Sequence, residues 1–398
     1  MTLQELNKVV NGTAAAFRSR TRLQPAGGEG DKVFPPTYAG AVYATEQRQV
    51  TNASGQIETR TCVLLDSVQS QANRMEDALQ QAIDNGETLK DCAIPVLSVD
   101  FTGLGLLDEM RRVTSLEAPH RAADAILRDS LLDGVPFRKS DKGRLLDAAS
   151  PQNATPLYQL CPTALVFGIW DSTGPKGGLG AKFQRAMVSE IIGINAQVGV
   201  KTSSRIDPLG MRAAAKVVKK PDGSYELAGD KAKDAVSPSE VNHGNIPPDI
   251  ASGGITMDYA EQITVLSLPA LRRLRFPVNG KTTVARDHAG RTVLAALALT
   301  SVALAAESGL DLRSRCLLWP EGPMTWELLE TPGASPAKIT ISSATAIKLL
   351  KEAVEVAKTE GLEWFGGTIE LKPAPNLVAL LKRSQDIAAK SGGESNQN

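Results

Sequence analysis

Hydrophobic side chains recur at helical spacing in segment 66–83, DSVQSQANRMEDALQQAI. Five of them, three or four positions apart, form one stripe: Val68, Ala72, Met75, Leu79 and Ile83. This periodicity predicts an amphipathic helix, with Gln69, Asn73 and Arg74 among the polar residues off the stripe.

Three further helices are predicted. Segment 119–134, PHRAADAILRDSLLDG, has a proline near its start and Gly134 where a C-terminal cap belongs. Two apolar helices are expected near 288–308 and 342–360.

Strands are predicted where β-branched and aromatic residues alternate with polar ones or form short apolar runs. The candidates are VFPPTYAGAVYAT (33–45), IETRTCVLLDS (57–67), TVLSL (264–268) and CPTALVFGIW (161–170), the last as a buried strand. Segment 181–198, AKFQRAMVSEIIGINAQV, fits either a helical stripe or a strand. The irregular order of strands and helices favours an α+β fold with a sheet covered on one side.

Two segments break these patterns. Arg18, Arg20 and Arg22 alternate in FRSRTRLQPAGGEG, so an extended chain would place them on one side. Residues 201–255 are rich in Pro, Gly, Ser and Asp and contain a hairpin signal, AKVVKKPDGSYELAG. Such a long irregular excursion is usually functional or disordered, and the tail 391–398, SGGESNQN, is expected to be disordered.

Charge is distributed unevenly in a chain whose formal net charge is zero. Residues 172–220 carry nine lysines and arginines against two acidic residues, a net +7. Residues 60–133 carry seven basic and thirteen acidic residues, a net −6. Separate basic and acidic stretches suit a polyanion groove and contacts between copies of the chain, although solvated faces of unrelated helices explain them equally well.

The glycine-rich segment WDSTGPKGGLGAKFQRA (170–186) does not match a nucleotide-binding P-loop. Its glycine spacing differs, Ala181 precedes Lys182, and Phe183 stands where the metal-binding hydroxyl must be. Two interpretations stay open. The loop amides, with Lys176, Lys182 and Arg185, could hold the phosphates of a polymer, or the glycines could serve a tight turn beside solvated lysines.

The sequence contains few other candidate residues for a catalytic, metal-binding or cofactor-binding site. The three histidines, His120, His243 and His288, have no nucleophile or second histidine at metal spacing, so no catalytic or metal site and no cofactor is predicted. The four widely spaced cysteines indicate buried reduced thiols. The longest apolar run, 293–306, is shorter than the roughly 18–20 residues of a membrane span, and the N-terminus has no signal-peptide pattern. A cytoplasmic protein without a membrane partner is expected.

Five segments carry a resemblance to a known family. They are FPPTYAGAVYAT, DSVQSQANRMEDAL, PHRAADAILRDSLLDG, TALVFGIWDSTGPKGGLGAKFQRAMVSEIIG and GNIPPDIASGGITMDYAEQITVLSLPALRRLRF. Together they resemble the backbone subunit of type I-G (formerly I-U) CRISPR Cascade complexes, a member of the RAMP superfamily. The resemblance spans about residues 34–276, and the glycine-loop segment is its most specific part.

The resemblance implies an RRM-like (ferredoxin-like) antiparallel core over residues 1–390, with a thumb-like insertion at 201–255. Copies would stack head to tail along a CRISPR guide RNA, present it for pairing with target DNA, and meet the large subunit and the handle-binding processing subunit. An apolar tip of the thumb would unstack neighbouring bases. The guide would be held by its backbone and shape, because base pairing supplies the sequence specificity.

The resemblance also implies a set of RNA-binding residues. They are Lys176, Gly177, Gly178, Lys182, Arg185, Gln69, Asn73, Arg74, Lys201, Arg205, Arg18, Arg20, His120 and Arg121. No RNP1 motif is present, so the fold is implied by the family and not by a motif. The alternative function is that of a RAMP ribonuclease, which would cut target RNA with a loop aspartate, Asp171 or Asp207.

Overall fold

The fold comes from a computed structural model, which describes residues 1–51, 54–86, 89, 92–106, 112–174, 176–220, 223–229 and 232–390. The predicted disordered tail, 391–398, lies outside these residues. The helices are α1 (Leu3–Asn11), α2 (Val68–Asp84), α3 (Ala125–Arg128), α4 (Asp141–Ala148), α5 (Thr155–Leu160), α6 (Thr163–Phe167), α7 (Leu268–Arg272), α8 (Val284–Glu307), α9 (Ser343–Thr359) and α10 (Pro375–Lys390).

The strands alternate irregularly with these helices. In the first half they are β1 (Ala16–Pro25), β2 (Thr37–Tyr38), β3 (Val42–Tyr43), β4 (Thr45–Thr51), β5 (Ile57–Asp66), β6 (Val96–Asp100), β7 (Arg112–Thr114), β8 (Ser130–Leu132), β9 (Val135–Pro136), β10 (Ile169–Trp170), β11 (Lys182–Phe183) and β12 (Met187–Ile194). In the second half they are β13 (Gln197–Arg205), β14 (Val217–Lys219), β15 (Tyr225–Leu227), β16 (Ile246–Thr256), β17 (Tyr259–Ser267), β18 (Leu310–Arg313), β19 (Cys316–Pro320), β20 (Trp326–Leu329), β21 (Ala337–Ile339) and β22 (Thr368–Pro373).

A nine-stranded antiparallel sheet forms the centre of the molecule. Seven strands run in the order β18-β19-β1-β17-β12-β5-β4, and β20 pairs with β1 and with β21. In β1, Phe17, Leu23 and the residues between them at alternate positions are buried, whereas Arg18, Arg20 and Arg22 point to the other face. The segment is extended, so the expectation that the three arginines would then share one side is confirmed. The α+β class is also confirmed, and the arrangement is consistent with an RRM-like fold.

Helices cover one side of this sheet, with α8 at their centre. α8 packs against α1, α2 and α9. This helix has 24 residues and is therefore longer than the apolar run 293–306 that was compared with the length of a membrane span. It is long and apolar enough to cross a membrane, but 83% of its most apolar window is buried inside the protein, as in a core helix. All four cysteines are buried, as predicted.

The prediction for the first amphipathic helix is confirmed by α2. Its N-cap, Ser67, accepts a hydrogen bond from the backbone N–H of Ser70, which satisfies one of the free amides of the first turn. Ala72, Met75 and Leu79 are buried in the main core, whereas Gln69 and Asn73 are exposed. The predicted apolar helices near 288–308 and 342–360 are α8 and α9.

Three predicted elements are wrong. Segment 33–45 is not one strand: it contains a short hairpin of β2 and β3 and ends at the first residue of β4. Segment 161–170 is not a strand: it forms α6 followed by the two-residue strand β10. All five residues of α6 are buried, and a short run that is apolar on every side does not distinguish a helix from a strand. Segment 119–134 forms one 3₁₀ turn, the four-residue α3 and strand β8 instead of one helix, and Arg121 adopts a positive φ of 50° that interrupts helical geometry.

The structure decides one ambiguous prediction and contains elements that were not predicted. The ambiguous segment 181–198 is extended, since it forms β11, β12 and the start of β13. A second, five-stranded sheet, ordered β7-β6-β22-β8-β9, was not predicted, because β22 and β6 are more than 260 residues apart and pair in parallel. Helices α1 and α10 were not predicted either.

The excursion near 201–255 is a long two-stranded ribbon. β13 pairs with β16, and between them lies the predicted hairpin, formed by β14 and β15. The first seven residues of β16 are exposed, so this part of the ribbon lies outside the core. We refer to residues 197–256 as the ribbon insertion.

Candidate nucleic-acid interface

An open cleft of about 820 Å³ lies where α2, the turn at 119–121, the β10–β11 hairpin and the start of β12 meet. Its volume is within the range of ligand sites in proteins. Six residues of the predicted RNA-binding set line it: Gln69, Asn73, His120, Arg121, Lys182 and Arg185. The fold thus brings together residues from three separate segments of the chain.

The α2 side of the cleft presents two amides. Gln69 and Asn73 are four residues apart, so they share one exposed face of the helix. Their carboxamides can both donate and accept hydrogen bonds. Val68 also lines the cleft and adds an apolar contact beside the amides.

The opposite side is the β10–β11 hairpin. Ile169 pairs with Phe183, and both are buried. Trp170 pairs with Lys182, and both are exposed, because alternate residues of a strand face opposite sides. The Lys182 ammonium lies 5.0 Å from the centre of the Trp170 ring, within cation–π range.

Arg185 follows the hairpin and is exposed in the cleft. Partial burial and the neighbouring Arg121 lower the pKa of its guanidinium, but an arginine side chain stays cationic in proteins. Among the described residues that line the cleft, none is acidic. Lys182 and Arg185 therefore give the cleft a positive charge.

A buried ion pair supports the floor of the cleft. Arg121 Nε and Nη2 each donate to a different carboxylate oxygen of Glu76 at 2.7 Å. Arg121 Nη1 also donates to the carbonyl of Gly168 at 3.0 Å. Burial raises the pKa of Glu76 to about 7, against the opposing effect of Arg121. Arg121 thus holds the floor in place, and its charge is already paired.

Gly168 needs the conformational freedom of glycine. Its φ is +85°, a region that other residues rarely adopt. A Cβ there would also lie 3.1 Å from the carbonyl oxygen of Phe183. This glycine lets the chain turn from α6 into the hairpin that carries Trp170 and Lys182.

The glycine loop between β10 and β11 is folded on itself. The amides of Gly177, Leu179 and Gly180 donate to carbonyls within the loop, so the expectation that the loop amides are free to face an anion is wrong for these three. Lys176 donates to the carbonyl of Asp147. Gly178 is exposed. The turn interpretation of the glycines is favoured, and Pro175 lies outside the described residues.

Both candidate catalytic aspartates have structural partners. Asp171 is 3% exposed and pairs with Arg138 at 2.8 Å. Asp207 accepts hydrogen bonds from the backbone N–H groups of Leu209 and Gly244, and these bonds lower its pKa. Among the described residues, no group of three or more His, Cys, Asp or Glu side chains could hold a metal ion.

The other predicted residues lie outside the cleft. Arg74 pairs with the fully buried Asp66 at 2.9 Å and donates to the Leu312 carbonyl. Lys201 and Arg205 lie on β13, where Lys201 is exposed and Arg205 donates to the Gly244 carbonyl.

The arginines of β1 are also paired with acidic residues. Arg18 pairs with Glu327 at 2.6 Å and Arg20 with Glu261 at 2.7 Å. The outer face of the sheet at these positions is therefore neutral.

Sequence reasoning did not identify Trp170 as a site residue, because it assigned Trp170 to a buried strand. In the structure, 56% of Trp170 is exposed at the edge of the cleft. The available signal was its place directly before a glycine-rich loop with Lys182 beyond it.

Comparison with known proteins gives one family match. Residues 17–198 match the family model described as CRISPR-associated protein GSU0053, and no curated protein matches the chain. The match covers a little under half of the chain and includes every residue that lines the cleft. It supports a CRISPR-associated function.

Proposed function

We propose that this protein is a non-catalytic backbone subunit of a type I-G CRISPR Cascade complex. It belongs to the RAMP superfamily in this proposal, binds guide RNA in the cytoplasm and presents the guide for pairing with target DNA. The observation that carries the proposal is the cleft: Gln69, Asn73, His120, Lys182 and Arg185 meet there, within the region that matches a CRISPR-associated family.

The cleft suits the backbone of single-stranded RNA. Lys182 and Arg185 supply positive charge, and phosphate contacts position a nucleic acid without reading its sequence. Lys176, Gly177 and Gly178 on the adjoining loop, and Lys201 and Arg205 on the ribbon insertion, extend this candidate surface. Four arginines of the predicted set stabilise the fold through ion pairs and are not free cations: Arg18, Arg20, Arg74 and Arg121.

A non-catalytic role fits the two loop aspartates. Asp171 is buried against Arg138, and the carboxylate of Asp207 is used by backbone amides of its own loop. A catalytic carboxylate must reach the reacting group. The ribonuclease alternative would need one of these aspartates to leave its partners.

The exposure of the ribbon insertion supports its assignment as the thumb. It exposes large apolar side chains: Ile206 is 86% exposed, Leu209 78% and Leu227 81%. Apolar side chains inserted between bases unstack them, so these three are the candidate wedge residues.

Deleting residues 213–228 and closing the gap with a short Gly/Ser bridge should leave a soluble, folded protein. This hairpin pairs with itself and, through Val217, with Val236, so it adds little to the nine-stranded sheet. Guide-bound complexes should still form, with poorer pairing to target DNA. Circular dichroism and a strand-displacement assay measure the two effects. Loss of the fold would show that the hairpin is core structure and would contradict the thumb assignment.

Assembly along the guide is the central test of the proposal. Head-to-tail contacts do not close on themselves, so array length should follow the length of the RNA. Mass photometry with guides of graded length should give species that grow with the guide, and mostly small species without RNA. A fixed dimer at every RNA length would reject the proposed function. Cleavage of target RNA by the protein alone would favour the ribonuclease.

Ion pairs within the chain leave most of the charge of the two stretches in place. In the acidic stretch 60–133, Asp66, Glu76, Asp84 and Asp129 pair with arginines of the same stretch, so its net charge of −6 is unchanged. Lys219 and Lys220 of the basic stretch pair with Glu240 and Glu226, which lie outside that stretch. Attraction between the two stretches of neighbouring copies should weaken with salt, because salt screens exposed charges.

A further inference from the structure

We propose that Trp170 is a stacking platform for one unstacked base of single-stranded RNA. This inference rests on the proposed function and deepens it, because it assigns a base contact to a cleft otherwise argued from phosphate contacts. Trp170 is 56% exposed at the edge of the cleft, and its backbone pairs with Lys182 in the β10–β11 hairpin.

The surroundings of Trp170 match the chemistry of a nucleobase. A base has two apolar faces and a polar edge, and bases stack on aromatic side chains in single-strand-binding proteins. Phe167 and Ile169 line the cleft and are buried, which gives it an apolar floor. Across from the hairpin, the Gln69 and Asn73 amides can pair with the edge of a base.

The cations complete the binding site. Lys182 lies 5.0 Å from the ring centre and Arg185 lines the same cleft, so phosphates that flank the stacked base have two partners. The arrangement supplies an aromatic face, hydrogen-bonding amides and positive charge within one cleft. It is sequence-tolerant, because every base has a face that can stack.

Exposure alone does not distinguish Trp170. Trp319, on β19, is 71% exposed and does not line the cleft. If stacking depends on the cleft and not on an exposed ring, only Trp170 contributes to RNA binding. Trp319 is therefore the matched control.

The test measures binding of a single-stranded oligouridine, and of an abasic oligonucleotide of equal length and charge, to the full-length protein. Trp170→Ala should lower affinity for oligouridine by about 5- to 150-fold, the usual range for loss of one base–aromatic stack. Trp170→Phe should retain part of the affinity. Trp319→Ala should bind like the wild type. On the abasic strand, wild type and Trp170→Ala should be equal, since there is no base to stack.

Tryptophan fluorescence provides a second readout. Oligouridine should quench the emission of the Trp319→Phe variant but have little effect on the emission of Trp170→Phe. Equal oligouridine affinity of wild type and Trp170→Ala would overturn the platform and leave the proposed function standing. Failure of the wild type to bind either strand would instead overturn the proposed function, and the platform with it.

Discussion

The double variant Lys182→Ala/Arg185→Ala is expected to bind single-stranded guide RNA about 10- to 100-fold more weakly than the wild type, whatever the RNA sequence. These two side chains are the exposed cations of the cleft, and Arg121 below them is neutralised by Glu76. Each phosphate contact on a single strand contributes about 0.7 to the slope of log affinity against log salt, so the slope should fall by about 1.4. Fluorescence anisotropy over a range of salt concentrations measures both quantities.

The matched control is Lys348→Ala/Lys358→Ala, which removes the same charge from exposed positions on α9. It should leave affinity and slope close to those of the wild type, because neither lysine lines the cleft. If both double variants weaken binding equally, the effect is one of overall charge and the cleft is not the RNA site. Thermal unfolding of both variants checks that the fold is intact.

The elements with one apolar and one polar side could be predicted from the sequence. Helix α2 and strand β1 each have a single buried face, so their periods of 3.6 and 2 are visible in the chain. Helix α6 has no polar side, and the turn that begins at Arg121 depends on a positive φ. In these places tertiary packing determines the conformation, and local pattern does not show it.

The candidate site was predicted in part, for a similar reason. The family resemblance implied Gln69, Asn73, Lys182 and Arg185, and the helical stripe and the glycine-rich segment show locally that these positions are polar or basic. The ion pairs that neutralise Arg18 and Arg121 join residues 309 and 45 positions apart. A single sequence does not show which distant residues form ion pairs. An arginine in an ion pair therefore cannot be distinguished from an unpaired arginine by sequence alone.

Under the proposed function, Arg121 supports the floor of the cleft and does not contact RNA. The variant Arg121→Met should lose about 3–5 kcal/mol of unfolding free energy, because it leaves Glu76 buried without its partner. Burial already raises the pKa of Glu76 to about 7, and loss of Arg121 raises it further. A carboxyl that binds its proton more tightly in the folded state destabilises the fold as pH rises. The deficit should therefore be larger near about pH 8 than near about pH 5.

The double variant Glu76→Leu/Arg121→Met distinguishes a structural role of Arg121 in the cleft floor from a direct contact of Arg121 with RNA. It removes both charges and keeps apolar volume, so stability should return most of the way to that of the wild type. Urea denaturation measures stability, and anisotropy measures RNA affinity in the same variant. We expect affinity close to that of the wild type, because the phosphates are held by Lys182 and Arg185 and the floor is again filled. A stable double variant that binds RNA as weakly as Lys182→Ala/Arg185→Ala would show that the Arg121 guanidinium itself is needed for binding.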